Sequence, residues 1–410
     1  MRGLLLVLAC LLLPAARAAD SVAIVHARAH PVSAPVVEDA TVVLRAGRIV
    51  SIEAGGAPPP GARIVDAGGR DLTPGLFHAA TRIGLSEVGD GQEAVASGGS
   101  RAGYTTHHAI DANAQSVEQA RADGVSRALV APAAASDNVF AGRATLLHLR
   151  SGGDIVERSG DVVQFAYIGT DASRAHSHAA AWQRLHGELG RARTPPAHAD
   201  DPARVDADDL ARHEVAMRRT PLAIVADREA DIREAIALAR THRLRVVVVG
   251  GAEAWRLAPE LAAAGIAVVL DPLDALPATY DRLGARHDNA ALLHRAGVDI
   301  AFTASAQGIY TSWNAGPSLR LAAGIAAAHG LPDAAALAAI TQAPARIWGL
   351  DARIGTLAPG ADADLVLWDG DPLEPASAPV AVFMAGDAVP LRTRQTLLRD
   401  RYLPARARAP

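Results

Sequence analysis

Two hydrophobic rhythms divide this chain. Near its start, strand-like runs recur in Val22-Ala23-Ile24-Val25, in Thr41-Val42-Val43-Leu44 and in Arg48-Ile49-Val50, around a turn at Ala46-Gly47. Pro58-Pro59-Pro60-Gly61 breaks this pattern and Ile64-Val65 resumes it. From residue 73 to about 350, short apolar runs alternate with alanine-rich stretches of helical period. The candidate strands are 76–79, 127–131, 144–149, 162–168, 221–226, 245–250, 266–270 and 299–303. Several are apolar throughout, as strands buried on both faces must be. Helical patterns cover 116–122, 173–189, 230–241, 254–264 and 289–296, with Gly265 and Gly297 as stops, and 320–329 and 334–339 close the region. Residues 191–209, rich in Pro, Asp, Arg and Ala, read as a loop. Strand character returns at 355–360, 363–368 and 380–385.

Eight strands alternating with helices predict an α/β fold, a (β/α)8 TIM-type barrel. The shared strand character of the two ends predicts one small composite β-sandwich beside it. The expected division is a signal peptide at 1–18, sandwich at 19–72, barrel at 73–350, sandwich again at 351–390 and a tail at 391–410.

Composition narrows the function. Of 410 residues, 50% are hydrophobic and 20% charged, enough for a large core. Arg2, the apolar run 4–13 and Ala16-Arg17-Ala18 read as an export signal with its cleavage site, which predicts a periplasmic protein. No stretch is long enough to span a bilayer. Cys10 is the only cysteine and would leave with that signal, so thiol chemistry is excluded from the mature chain. All 40 basic residues are arginine, which excludes Schiff-base lysines and a metal-bridging carboxylated lysine. Removing Arg2 and Arg17 leaves 38 basic against 44 acidic residues, a net charge of −6, with no basic block suited to nucleic acid.

Three stretches carry a family resemblance: Gly69-Arg70-Asp71-Leu72-Thr73-Pro74-Gly75-Leu76, then Thr341 to Gly349 with Pro344-Ala345, then Gly355-Thr356-Leu357 leading to Gly360 and Ala363-Asp364-Leu365-Val366. In this order and spacing they resemble the amidohydrolase superfamily, in its imidazolonepropionase-like branch. The resemblance implies a metal-bearing barrel with a composite β-sandwich. It also implies hydrolysis of C–N bonds other than peptide bonds by metal-activated water, usually on zinc. Its ligands would be a His-x-His on the first strand, Lys or Glu on the fourth, His on the fifth and sixth, and Asp on the eighth. Here those positions hold Ala80 and Arg82, then Ala166-Tyr167-Ile168, Val225, Gly250, and Ser305 within Phe302-Thr303-Ala304-Ser305-Ala306. The motifs degenerate where the family's metal chemistry resides.

Other residues offer chemistry of their own. Asp227 and Asp271 follow strand ends and are the candidate catalytic pair, for acid–base work or for one weakly held cation. The structural alternative has Asp227 pairing with Arg228 or capping the helix from Ala230, Asp271-Pro272 making a turn, and Asp288 or Asn289 serving as an N-cap. Glu87, Asp137-Asn138 and His287 also follow strands or precede helices near the expected mouth. His176 and His178 diverge by about 200° on a helix and read as solvated surface groups. His213-Glu214 lacks a second histidine, and His107-His108 lies in a segment of uncertain structure. Ser305 has no evident His–Asp support.

Two functions follow. By resemblance the chain is a metal-dependent hydrolase acting on small amides, with zinc or another divalent metal. By its own residues it has no metal or other cofactor and is an inactive exported barrel that binds a small molecule or a partner at the mouth, where Arg82 would meet an anionic group. Neither reading involves nucleic acid or a membrane span, and the oligomeric state is open.

Overall fold

The computed structural model describes residues 21–85, 101–134, 138–169, 177–201, 203–304, 314–350 and 352–403. The two ends of the chain build one eight-stranded sheet. Its N-terminal strands are β1 (Val22–Ala29), β2 (Val37–Arg45), β3 (Arg48–Ala54), β4 (Arg63–Asp66) and β5 (Asp71–Pro74). Its C-terminal strands, the last three in the chain, are β14 (Leu365–Trp368), β15 (Pro379–Met384) and β16 (Asp387–Ala388). The order is β16-β15-β14-β5-β1-β2-β3, with β4 also on β1. The ends join where β14 runs antiparallel to β5, with Leu365 opposite Pro74. Ile24, Val42, Leu44, Leu72, Leu365 and Phe383 form the apolar side of this sheet.

The second sheet also has eight strands, in chain order: β6 (Leu76–Thr81), β7 (Val125–Val130), β8 (Phe140–His148), β9 (Val156–Tyr167), β10 (Leu222–Ala226), β11 (Val246–Gly250), β12 (Ala267–Leu270) and β13 (Ile300–Phe302). It curls into a nearly closed TIM-type barrel. The Thr303 hydroxyl donates to the Ala80 carbonyl across the gap between β13 and β6. Alternate residues face opposite ways and both faces are buried, which explains the unbroken apolar runs. In β10, Leu222, Ile224 and Ala226 pack towards the helices. Ala223 faces the lumen with Phe77, Leu129, Phe165, Val247 and Val269. Helices α1 (Gln115–Ala122), α2 (His178–Arg191), α3 (Ala207–Ala216), α4 (Glu229–His242), α5 (Ala258–Ala264), α6 (Asn289–Arg295), α7 (Ala315–Ala328), α8 (Asp333–Ala339) and α9 (Gln342–Trp348) follow, with α10 (Arg394–Tyr402) after the terminal sheet. Ile347 and Trp348 of α9 join the lumen cluster.

The barrel departs from strict strand–helix alternation at one place. The run expected at 144–149 belongs to β8, which is antiparallel to both β7 and β9. Only residues 131–139 and 149–155 connect it to its neighbours, too few for a helical crossover but enough for hairpins. The other seven strands are mutually parallel. Residues 355–360 form no strand. Gly355 and Gly360 take left-handed φ of +75° and +87°, and a Cβ on Gly355 would lie 2.3 Å from the Thr341 carbonyl oxygen. The loop expected at 191–209 ends inside α3, whose N-cap Asp206 accepts from the N–H groups of Asp208 and Asp209. Finally, α2 runs from His178, with Ser177 capping it by accepting from the Ala180 N–H, and residues 173–176 of the expected helix lie outside the described residues.

Candidate functional site

An open depression of about 650 Å³ lies at the C-terminal ends of the parallel strands, the end of such barrels where active sites form. Val225 and Asp227 come from the end of β10, Val249 and Gly250 from β11, Leu270 and Asp271 from β12, and Thr303 follows β13. The long connection from β12 to α6 supplies Asp274, Arg282, Arg286 and His287, and α6 itself supplies Asn289.

Arg282 organises the polar side. Its Nε donates to Asp227 Oδ2 at 2.9 Å, and its Nη1 donates to Asp274 Oδ2. Asp227 Oδ1 accepts from the Ala252 N–H at 3.1 Å. Burial pushes the Asp227 carboxyl above the usual carboxylate range, against the opposing pull of Arg282 and of the Ala252 N–H. Gly250 is required beside it: φ is +96°, and a Cβ would stand 2.6 Å from Asp227 Oδ1. Asp271 Oδ1 accepts from the Leu273 N–H at 2.9 Å, closing the expected turn at Asp271-Pro272. Asn289 is buried. Its Nδ2 donates to the Gly251 carbonyl at 2.9 Å, while Oδ1 has no partner. The His287 ring stacks on His329 with centroids 4.6 Å apart.

Several expectations change. Asp227 pairs with Arg282, 55 positions away, and neither pairs with Arg228 nor caps α4, whose N-cap Arg228 makes no side-chain cap bond. Asp288 holds the N-cap position of α6, but its carboxylate goes to Arg286, with one contact at 2.6 Å. His178 is not a solvated surface group. Its Nδ1 lies 2.8 Å from Asp231 Oδ2 and its Nε2 lies 3.4 Å from Asp281 Oδ1, and both carboxylates are buried. Trp182 Nε1 donates to the other oxygen of Asp231 at 2.9 Å. His213 Nδ1 is tied to the Ala192 carbonyl at 2.8 Å. His107 and His108 share a short 3-10 turn, Thr106–Ala109, with rings 4.0 Å apart. Asn138 Oδ1 accepts from the Phe140 N–H. Glu87, Asp137, His176 and Ser305 lie outside the described residues.

Of the residues that the resemblance sets at metal-ligand positions, Val225 and Gly250 line the depression, Ala80 lends its carbonyl to Thr303, and Arg82 is half-buried just beyond β6. Arg282 and Asp274 were missed by sequence reasoning. Their only signal was a place shortly after a barrel strand, which many surface residues share.

A zinc centre needs imidazole, thiolate or carboxylate donors converging on one point, commonly four in all. The aliphatic side chains of Ala80 and Val225 offer none, Gly250 has no side chain, and the Asp227 oxygens are engaged by Arg282 and Ala252. Among the described residues no group of three or more His, Cys, Asp or Glu stands where it could hold a metal ion. The donors at this mouth do not fit the family's metal centre.

Comparison with known proteins follows the same lines. Residues 216–393 match the model of the amidohydrolase family. The curated amidohydrolase tasK of Hapsidospora irregularis is 50% identical over 60 residues, 15% of this chain but only 6% of its own length. An amidohydrolase from Thermotoga maritima superposes with a TM-score of 0.79 at 22% identity, over 90% of this chain and 100% of that one. N-isopropylammelide isopropylaminohydrolase from Burkholderia multivorans superposes with a TM-score of 0.52 at 18% identity, over 90% and 98%. The resemblance to the amidohydrolase superfamily is thereby borne out.

Proposed function

We propose that this chain is an exported protein of amidohydrolase lineage whose barrel mouth binds a small molecule without the family's metal-activated water. The observation that carries this reading is the Arg282 pair with Asp227 and Asp274, in the depression at the C-terminal ends of the barrel strands. A guanidinium is always charged, so it satisfies those carboxylates while offering no site to a hydrolytic water. Around it the lining mixes Val225, Val249 and Leu270 with a few placed polar groups, the ordinary make-up of a small-molecule pocket. In this reading the terminal sheet is the family's composite β-sandwich, and residues 1–18 direct export.

The second reading is hydrolysis of a C–N bond in a small amide, as the lineage implies. It is favoured by the family match, which spans the strands that form the depression. Elemental analysis of the tag-free mature protein, purified without chelator, separates the two. Substoichiometric zinc, manganese and iron are expected, with no chelator-sensitive turnover on a panel of small amides. Thermal stabilisation by members of the same panel is the positive sign. One tightly bound equivalent of metal, together with turnover that a chelator abolishes and zinc restores, would overturn the proposal in favour of hydrolysis.

A further inference from the structure

We propose that helix α10 is a membrane-surface contact that seats the protein on an anionic phospholipid bilayer. The proposal is independent of how the barrel mouth is read. Charge is segregated along the chain. Residues 391–410 carry six arginines and one aspartate, a net charge of +5, whereas residues 1–390 carry 34 basic and 43 acidic residues, a net charge of −9. Such an asymmetry points the basic end towards an anionic partner.

α10 buries none of its own residues. A capping box fixes its start: the Thr393 hydroxyl accepts from the Thr396 N–H, and the Thr396 hydroxyl accepts from the Thr393 N–H. A nine-residue helix without a packed face is marginal in water, so a partner that covers this one also stabilises it. At about 100° per residue, Leu397, Arg401, Arg394, Leu398 and Tyr402 follow one another around an arc of about 140°. All five are exposed, Leu397 by 46% and Tyr402 by 72%. The Arg401 guanidinium lies over the Tyr402 ring, 5.5 Å from its centroid. Arg399 falls outside that arc, and its Nε donates to Asp400 Oδ1 at 2.9 Å.

A face that interleaves leucine, tyrosine and arginine fits a lipid surface better than it fits other anions. The leucines reach the boundary between headgroups and acyl chains, where tyrosine also settles. Arginine stems lie beside them and carry the guanidinium groups up to the phosphates. Nucleic acid would engage the arginines through its phosphates and leave both leucines in water. A protein interface gathers apolar residues at its centre and charge at its rim, which is not the order around α10. Each attraction alone is weak, and stable attachment to a bilayer takes the two together.

The test floats the protein without residues 1–18 on vesicles of phosphatidylcholine alone, and of phosphatidylcholine mixed with phosphatidylglycerol. Binding to the mixed vesicles should be about tenfold or more tighter than to phosphatidylcholine, and should weaken as salt is raised. R394Q/R401Q and L397S/L398S, both on the exposed face and checked for folding by circular dichroism, should each weaken it about tenfold or more. Amide hydrogen exchange across residues 394–403 should slow on the mixed vesicles. If either pair unfolds the protein, R401Q and L397S decide. No flotation, equal flotation on both vesicles, or flotation that neither pair weakens would overturn the proposal. Self-association in the ultracentrifuge, or binding of a DNA oligonucleotide, that R394Q/R401Q abolishes and that occurs without flotation would overturn it in favour of a second copy or of nucleic acid.

Discussion

His78 sits at the start of the strand that carries Ala80 and Arg82, and it is only 1% exposed. Its Nε2 accepts from the Ala304 N–H at 3.5 Å, a long contact, and Nδ1 has no partner. Burial therefore dominates and lowers its pKa from 6.5 to about 4, with the Ala80 carbonyl opposing. A neutral buried histidine costs nothing extra above pH 6.5. Between 6.5 and about 4 the unfolded chain takes a proton that the folded chain refuses, so stability should fall as pH falls, by roughly 3 kcal/mol across the window. H78L should flatten that slope, as measured by urea unfolding at pH 7, 5.5 and 4.5. An unchanged slope would assign the effect to another group. At the same scale, Asp227 shows what a linear reading misses. Its acidic character and its place at a strand end were legible, but its partner Arg282 arrives from another strand–helix connection, and no local spacing encodes that meeting.

Among elements, the strands were legible where burial on both faces wrote continuous apolar runs, as in β10, β11 and β12. Strand direction was not, because β8 has the composition of its neighbours and only the short connections around it force the reversal. The recognisable motifs also prove to be joints between elements. Gly75 admits Ser126 of β7 so closely that a Cβ would lie 2.4 Å from its hydroxyl, and the Gly75 N–H donates to the Asp364 carbonyl at 2.9 Å. Gly355 lies against Thr341 in the same manner. The three stretches thus hold the two sheets together. Arg127 of β7 completes the joint. It is buried against Asp362 at 2.8 Å, Asp364, and Glu157 at 2.6 Å. Burial alone would raise the Asp364 pKa, but Arg127 and His148 outweigh it and hold it at about 2 against an ordinary 3.8. The Asp364 contribution is therefore complete above pH 3.8 and lost as pH falls towards 2. R127M removes the buried cation shared by the three carboxylates, leaving Asp362 with Arg48 and Asp364 with His148, and should cost about 3–5 kcal/mol in urea unfolding at neutral pH. It should also remove most of the acid-side loss between pH 3.8 and 2. A cost below about 1 kcal/mol would mean that the network is no stronger than a surface pair.

At the level of the whole molecule, these joints make the barrel and the terminal sheet one cooperative unit. Strand β5 runs through Gly75 into β6 with no linker, and its antiparallel partner β14 comes from the far end of the chain. Trp368 of β14 is fully buried and donates to Thr73 Oγ1 at 2.9 Å, and its ring takes the Arg320 guanidinium of α7 at 4.8 Å. Arg320 in turn donates to the Ser377 carbonyl at 2.9 Å. A chain ending at residue 350 keeps every barrel strand but loses β14, Trp368, Ser377 and the Asp362 and Asp364 carboxylates. Arg127 and Arg320 would then be buried cations without their main acceptors, a cost that a domain of ordinary stability cannot absorb. The full chain should unfold in one transition, with far-UV circular dichroism and tryptophan fluorescence coincident in urea. The truncated chain should show neither near-UV circular dichroism nor a cooperative transition. A sharp transition in the truncated chain would instead establish the barrel as an independent domain, with the terminal sheet an attachment to it.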